Sequence, residues 1–474
     1  MRSTTARELA GLAQAQLVGD GEAVVGPDVV IDSRAVTPGC LFVALPGERV
    51  DGHEFAGSAV AAGAAAVLGT RAVDVAAPVL VARDAAAALA DLATGLLVRA
   101  AAGGLTSIGV TGSSGKTSTK DLMAQVLAAA GPTVAPAGSA NNEIGVPLTA
   151  CRVDASTRFL VSELGARGGG HIAWLCGIVK PTVGAVLNVG HAHVGEFGSV
   201  EAIAQAKGEL VEALPASGWA VLNADDERVA AMTARTRAQI ASFSTSCEPT
   251  AGELRVWAEA VSADELQRAT FRLHASGISA GHAEVRLRVS GAHQVANALA
   301  AAAVGLSQGM TVADVAEALG HATPRSRWRM ELARRADGLL VVNDAYNANP
   351  DSMAAALRAV AGMRREGGRL VAVLGDMLEL GPQAAQAHQG VGRLAADLGF
   401  DQLVLLGDFA DDIAAGAAGS VASVTRVADR EQAVRVVATS ATRADVVLVK
   451  ASRGLALETV ADQLGAEPAT EGGR

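Results

Sequence analysis

The chain has 474 residues, enough for roughly three domains at about 100–200 residues each. Its 49 acidic residues against 39 basic ones leave a net charge of −10, which argues against nucleic acid as the partner. Half the residues are apolar, but the longest charge-free stretches, such as 55–70, are broken by Gly and Ala, so no membrane span is expected.

The N-terminal run Met1-Arg-Ser-Thr-Thr-Ala-Arg-Glu8 lacks an apolar signal core. Cys40, Cys151, Cys176 and Cys247 form no CxxC pair and read as small buried residues in a reducing compartment. A soluble cytoplasmic protein is expected. The only lysines are Lys116, Lys120, Lys180, Lys207 and Lys450, and the other 34 basic residues are arginine. Such a bias keeps lysine where a compact ammonium or a reactive amine is needed. Lys120 and Lys180 read as chance retentions.

Residues 1 to about 100 alternate short apolar runs (40–45, 65–68, 79–82) with Ala-rich helical stretches, the pattern of a small α/β domain. Two pieces stand out, Asp32-Ser33-Arg34 and the 42–53 stretch ending in Asp51-Gly52-His53. Asp-Ser-Arg at a strand end suits either a turn with a surface ion pair or a diphosphate or uracil site.

Next comes Thr106-Ser-Ile-Gly-Val-Thr111-Gly112-Ser113-Ser114-Gly115-Lys116-Thr117-Ser118. An apolar strand breaks into a Gly/Ser turn, and Lys116 opens a segment with Leu122, Met123, Val126 and Leu127 at helical spacing. Strand, glycine-rich turn and helix N-terminus make an anion site from inward backbone N–H groups and the helix dipole. The lysine can reach the outer phosphates and the Thr117 hydroxyl can ligate Mg²⁺. Strict Walker spacing wants glycine where Val110 stands, so the match is to a shortened variant. Three further apolar runs end in polar residues, at Glu163, Asn188 and Asn223. In doubly wound sheets such strand ends line the ligand crevice, which makes Glu163 and Asn188 candidates to face the nucleotide. Glu163 suits Mg²⁺, and the alternative is an exposed strand end.

Residues 250–290 alternate like the strands of an antiparallel appendage. Gly291-Ala-His293 then opens an Ala-rich helix to about Leu306, and 321–329, with Pro324, reads as a linker. The last 150 residues repeat the α/β rhythm, with strand-like runs at 339–342, 370–374, 403–406 and 446–449. No GxGxxG turn follows the first of these, so a Rossmann-like fold here does not imply NAD. That strand instead runs into Asp344-Ala-Tyr346-Asn347-Ala-Asn349-Pro350, readable as an Asx/Pro turn or as a ligand-facing cluster.

Together these residues resemble the Mur ligase family, ATP-dependent amino-acid-adding enzymes of peptidoglycan precursor synthesis. The motifs are Thr111-Gly-Ser-Ser-Gly-Lys-Thr117, Glu163, Asn188 with His193 five residues on, Ala206-Lys207 and Asn297. The likeness covers essentially the whole chain. Asn141-Asn142-Glu-Ile-Gly-Val-Pro147, Glu163-Leu-Gly-Ala166, Asp344-Ala-Tyr-Asn-Ala-Asn-Pro350 and Gly375-Asp-Met-Leu-Glu-Leu-Gly381 narrow it to the dipeptide-adding branch. An Asp-Asn-Pro-Arg signature, expected of the diaminopimelate-adding relative, does not occur. Two points depart from the pattern. His293-Gln294 stands where the family often has His-Asn, and His191 competes with His193.

The resemblance implies an α/β protein of three domains. These are a small N-terminal UDP-binding domain (1–103), a central phosphate-loop ATPase domain with a mostly parallel sheet (104–325) and a C-terminal Rossmann-like domain (326–474). It implies joining of D-alanyl-D-alanine to a UDP-N-acetylmuramoyl-tripeptide through an acyl phosphate, by a monomer using ATP and two Mg²⁺ ions. Gly112, Ser113, Ser114, Gly115, Lys116, Thr117 and Ser118 would hold the nucleotide, with Asn297 facing adenine and Arg329 and Asp344 reaching over from the third domain. Thr117 and Glu163 would hold one Mg²⁺, His193 and a carbamylated Lys207 a second. Lys116, Glu163, His193 and Lys207 would form the catalytic set. Ser33 and Arg34 would hold the UDP part, and Asn142, Tyr346, Asn347 and Asn349 the peptide substrates. A folylpolyglutamate synthetase-like ligase shares the loop and the lysine but lacks the first domain. A nucleotide-driven switch is the alternative from outside ligase chemistry.

Overall fold

A computed structural model describes residues 1–47, 50–190 and 194–466. Among these residues the strands gather into three large sheets and one small two-stranded one. The first large sheet has the order Gln16–Val18, Val79–Val81, Ala66–Gly69, Leu41–Val43, Val29–Val30, parallel except for its first pair. Alternation along its strands sends Leu41, Leu68 and Leu80 to one face and Phe42, Val67 and Val79 to the other. The Ala85–Ala102 helix covers the first face, its N-terminus capped by Asp84 Oδ1 accepting from the Ala86 and Ala87 amides. By length and composition this helix is long and apolar enough to cross a membrane. Its Leu89, Leu92 and Leu97 are nonetheless buried, in one apolar cluster with Leu160 and Leu175 beyond the first sheet. Burial of each leucine contributes about 1.5–3 kcal/mol, so the first two sheets share a core.

The second sheet has nine strands. From the edge, Gly281–Ser290, Arg268–Gly277 and Leu254–Ala263 are antiparallel to one another. Gln239–Ser244, Trp219–Asn223, Val183–Val186, Thr106–Thr111, Phe159–Glu163 and Thr133–Val134 follow in parallel. Parallel strands are covered on both faces, and their continuous apolar runs follow from that. The Lys116–Ala128 helix lays Leu122, Met123, Val126 and Leu127 on the sheet. Against it packs His293–Ser307, in which every residue from Ala298 to Leu306 is buried. Small side chains permit that approach: a Cβ on Gly305 would stand 2.8 Å from Val126 Cγ1.

The third sheet runs Glu331–Arg334, Leu340–Asn343, Val446–Lys450, Leu370–Gly375, Gln402–Leu406, Ser423–Arg426, parallel after its first antiparallel pair. Between the second and third sheets, the segment after Val312–His321 is tied to the Lys116–Ala128 helix. The Gln125 side chain donates to Thr323 O and accepts from Thr323 N, and Asp121 Oδ2 accepts from Ser326 N at 2.9 Å. Two expectations change here. Lys120 is not a chance retention, because its amine is fully buried, donating to Pro136 O at 2.8 Å beside Asp121. Cys247 is exposed, unlike the other three cysteines.

Candidate active site

The Thr106–Thr111 strand delivers the chain into a turn that wraps the start of the Lys116–Ala128 helix. Gly115 adopts φ +78°, a conformation that favours glycine, and a Cβ there would stand 2.6 Å from Asn297 Oδ1. Asn188 braces the turn from the neighbouring strand end: its Oδ1 accepts from Ser114 N at 2.9 Å and its Nδ2 donates to Ser114 O at 3.2 Å. Ser113 is tied to the same strand end through Gly190 N. Lys116 Nζ rests on Gly112 O at 2.8 Å, and burial lowers its pKa while Glu163 opposes that shift.

Two clefts open from this turn. The first is walled by Leu187, Phe243 and Met330 and bears the polar ends of Asn188, Asn223 and Gln294; Ser118, Asn297 and Asp344 also line it. Asn297 Nδ2 donates to Gln294 Oε1 at 2.9 Å, so the glutamine replacing the usual asparagine reaches the next helical turn. Asn297 thus has one polar end on Gln294 and the other against Gly115. It lies where the cleft meets the turn.

The second cleft joins Ser113, Lys116, Thr117, Glu163 and Lys207 to Tyr346, Asn347 and Asn349 of the third sheet's loops. Glu163 is buried, and its Oε1 accepts from Ser139 Oγ and Asn141 Nδ2, both at 2.7 Å. Its Oε2 is buried without a hydrogen-bond partner among the described residues. Asn141 is a residue the motif contained and the reading passed over. Asn142, expected to hold a peptide substrate, accepts from Gly145 N at 2.9 Å just ahead of the Gly145–Ala150 helix while bordering the cleft. Lys207 projects from the Val200–Glu212 helix, buried, and its pKa falls well below the usual lysine value through desolvation first and then the neighbouring Lys116.

Arg329 reaches back from the linker, donating from Nη2 to Thr117 Oγ1 at 3.1 Å. Asp344 accepts from Met330 N at 3.0 Å and from Lys450 Nζ at 2.6 Å. Lys450 was noted only for its rarity. It is buried and also donates to Asn347 O at 2.9 Å, so it holds the 344–347 loop together. Burial lowers its pKa and Asp344 opposes the shift.

Among the described residues, none from the first sheet or its loops lines either cleft. Ser33 and Arg34 lie on a 3₁₀ turn whose Asp32 caps it and pairs with Arg34 at 2.7 Å, as a surface ion pair would. His53 is buried between Asp51, 2.5 Å from its Nδ1, and the Thr70 amide, so Asp51-Gly52-His53 ties two loops of this sheet together. The expectation for His193, with its rival His191, falls outside the described residues.

Three family profiles match in the order of the sheets: Mur ligase family, catalytic domain at 28–104; Mur ligase middle domain at 110–305; and Mur ligase, glutamate ligase domain at 328–453. The chain belongs to the Mur ligase family. Among relatives of this Mur ligase, the UDP-N-acetylmuramoyl-tripeptide–D-alanyl-D-alanine ligase of Mycobacterium tuberculosis is 46% identical, over 96% of this chain and 97% of the relative. The Escherichia coli enzyme of the same name is 34% identical, over 97% and 98%. The structure is similar to crystal structure I of MurF from Acinetobacter baumannii, with TM-score 0.85, 32% identity and coverage of 98% and 99%. It is also similar to the MurF ligase of Thermotoga maritima in complex with ADP, with TM-score 0.76, 28% identity and coverage of 92% and 97%.

Proposed function

We propose that this Mur ligase joins D-alanyl-D-alanine to UDP-N-acetylmuramoyl-tripeptide at the expense of ATP, giving the pentapeptide precursor of peptidoglycan in the cytoplasm. The observation that carries the reading is the convergence of phosphate turn, Glu163 and Lys207 with the Tyr346–Asn347–Asn349 loop in one cleft. The N-terminal unit 1–103, the central unit 104–325 and the C-terminal unit 326–474 divide the work of holding the UDP substrate, ATP and dipeptide. Ser33 is half-buried and Arg34 exposed on the first unit, where a UDP group can reach them.

A carboxylate is a poor electrophile. Transfer of the γ-phosphoryl group to the tripeptide carboxylate forms an acyl phosphate and releases ADP. The dipeptide amine then attacks the carbonyl carbon, loses a proton, and expels phosphate from the tetrahedral intermediate. Such transfer depends chiefly on positioning and on neutralising oxygen charge. The turn amides and Lys116 hold the β- and γ-phosphates, and Arg329, reaching the same point from the linker, adds a second cation when the domains meet. Gln294 and Asn297 sit at the base.

Mg²⁺ fits the residues present. Glu163 offers one buried oxygen with no partner among the described residues, its other oxygen fixed by Ser139 and Asn141. Thr117 and Glu163 would hold one ion, and Lys207 as a carbamate, with His193, a second. When bound, the metal neutralises phosphoryl charge. The enzyme works as a monomer.

The test is ADP release with UDP-N-acetylmuramoyl-tripeptide, with and without D-alanyl-D-alanine. Release coupled to pentapeptide formation only when both are present is expected. ATP hydrolysis indifferent to both would mark a nucleotide switch and end the ligase reading.

A further inference from the structure

Beside the second cleft the linker and the third sheet build a column of rings and guanidinium groups, of which only Arg329 enters the phosphoryl chemistry. Arg329 lies 4.1 Å from the Tyr346 ring centre, and Trp328 stacks on Tyr346 at 6.4 Å. On the same pair sits Arg453, 4.3 Å from the Trp328 ring and 5.8 Å from Tyr346. Arg453 follows Lys450 and Ser452 at the end of a central strand of the third sheet, and it lines the cleft. Its Nη1 donates to Glu458 Oε1 at 2.9 Å, the one hydrogen bond its side chain makes to a described residue. That bond, with the two rings, fixes the guanidinium plane and leaves the edge formed by Nε and Nη2 without a partner among the described residues. Half of the side chain remains exposed (52%).

A guanidinium held on rings with one free edge is pre-organised for a carboxylate, which it meets through two parallel hydrogen bonds. Of the other cations lining this cleft three are committed elsewhere, while Arg167, exposed on the loop after the Phe159–Glu163 strand, has no ring beneath it among the described residues. Lys116 rests on the phosphate turn, Arg329 on Thr117, and the amine of Lys207 is driven toward neutrality by burial. The dipeptide carries one group that calls for a cation, its C-terminal carboxylate. Its amine must point at the phosphate turn. Two residues span about 7 Å, which puts the two ends on opposite sides of a single aromatic side chain. The Tyr346 ring contacts both Arg329, which touches Thr117, and Arg453, at 4.1 and 5.8 Å from its centre.

We propose that Arg453 binds the C-terminal carboxylate of the incoming dipeptide and so makes this Mur ligase select a free acid at that end. This rests on the dipeptide-adding reading above. Trp328 and Tyr346 are the platform that keeps the guanidinium flat toward the cleft.

The experiment compares D-alanyl-D-alanine with D-alanyl-D-alaninamide, whose terminus is neutral, as substrates of the wild-type enzyme, Arg453→Met and Arg453→Lys. The wild type is expected to favour the acid by about 10- to 100-fold in kcat/KM, the range for a hydrogen bond to a charged group. In Arg453→Met that preference should collapse toward unity, through a rise in KM for the acid. The KM values for ATP and for UDP-N-acetylmuramoyl-tripeptide should stay as they were. Arg453→Lys, which keeps the charge but loses the flat fork, should retain part of the preference. Equal use of acid and amide by the wild type would overturn the proposal without any variant. A preference that survives in Arg453→Met would do the same. A general loss in that variant, shared by all three KM values, would reduce Arg453 to a structural role. A wild type that forms no pentapeptide from D-alanyl-D-alanine would instead sink the ligase reading itself.

Discussion

Lys207 holds an amine that no described side chain pairs with, on a buried helix face beside Lys116. Desolvation and the second cation both favour the neutral amine. A neutral amine adds CO₂ with loss of a proton, giving a carbamate that replaces a cation with two anionic oxygens. Arginine stays protonated and cannot follow. Lys207→Arg should therefore be nearly as inactive as Lys207→Ala, each down by about 100-fold or more in the ADP-release assay. Acetate should partly restore the alanine variant. An active arginine variant would show that only charge is needed there.

Lys116→Ala belongs to the same scale. The side chain touches Gly112 O and little else that holds the fold, so the variant should unfold at a near-normal temperature yet form no product. Normal turnover by a folded Lys116→Ala would remove the phosphate-turn assignment. At this scale the sequence named Lys116 and Thr117 from the spacing of the phosphate turn, Glu163 from its place at a strand end, and Lys207 from the family resemblance. Lys450 and Asn141 were harder to read. Each acts through contacts with residues far off in the chain, Lys450 with Asp344 and Asn347 and Asn141 with Glu163, and spacing carries no trace of that.

Two elements position the site, and each has a weak point. The phosphate turn depends on Gly115, whose φ of +78° and close approach to Asn297 leave no room for a side chain. Gly115→Ala should lose most nucleotide affinity, read by ATP titration, while costing stability about 1–2 kcal/mol for the left-handed backbone. The second element is the 375–381 loop. His388 supports it from below, Nε2 accepting from Met377 N at 2.8 Å and Nδ1 donating to Ala384 O at 2.7 Å, with Phe409 stacked 4.4 Å away. Burial lowers the pKa of His388, so the folded protein keeps the ring neutral. The unfolded chain takes up that proton below about pH 6.5 while the folded one resists it, so this share of stability falls as pH drops from there. The slope is at most about 1.4 kcal/mol per pH unit for one group. Thermal midpoints followed from about pH 8 to pH 5 should fall less steeply for His388→Gln, which can keep both hydrogen bonds without titrating. Identical pH profiles would show that other groups account for the loss.

Over the whole molecule the clefts exist only while the central and C-terminal units meet. Arg329 to Thr117 is one contact, Gln267 Nε2 to Gly362 O at 2.9 Å another, and Gly195 N to Glu379 O at 3.3 Å a third. The last is tight: a Cβ on Gly195 would stand 2.7 Å from Glu379 O. Gly195→Val should hold the units apart, with a larger radius of gyration in solution scattering and ATP affinity near normal. Turnover should fall by about 10-fold or more, since a small misplacement of bound reactants is costly. Unchanged turnover would mean that this contact is not part of the working state. The linker carries the strain of the meeting, with Trp328 at φ +60° and Met330 at φ +51° on either side of Arg329.

The sequence by itself determined the strands, their alternation with helices and the phosphate turn. Those depend on neighbours within a few residues, on period-two or period-3.6 burial and on glycine where φ must be positive. It also carried enough spaced motifs to place the chain in its family. Tertiary structure alone decided which strand ends meet. Asn188 turned out to brace Ser114 and Gln294 to hold Asn297. Asp32 and Arg34 pair on the surface of the first sheet, while Asp51 and His53 fasten its loops. The column of Arg329, Tyr346, Arg453 and Trp328 has no counterpart in any local pattern. Its members come from the linker and two separate strand ends, and a ring-to-guanidinium contact depends on distance in space, which the order of residues does not encode.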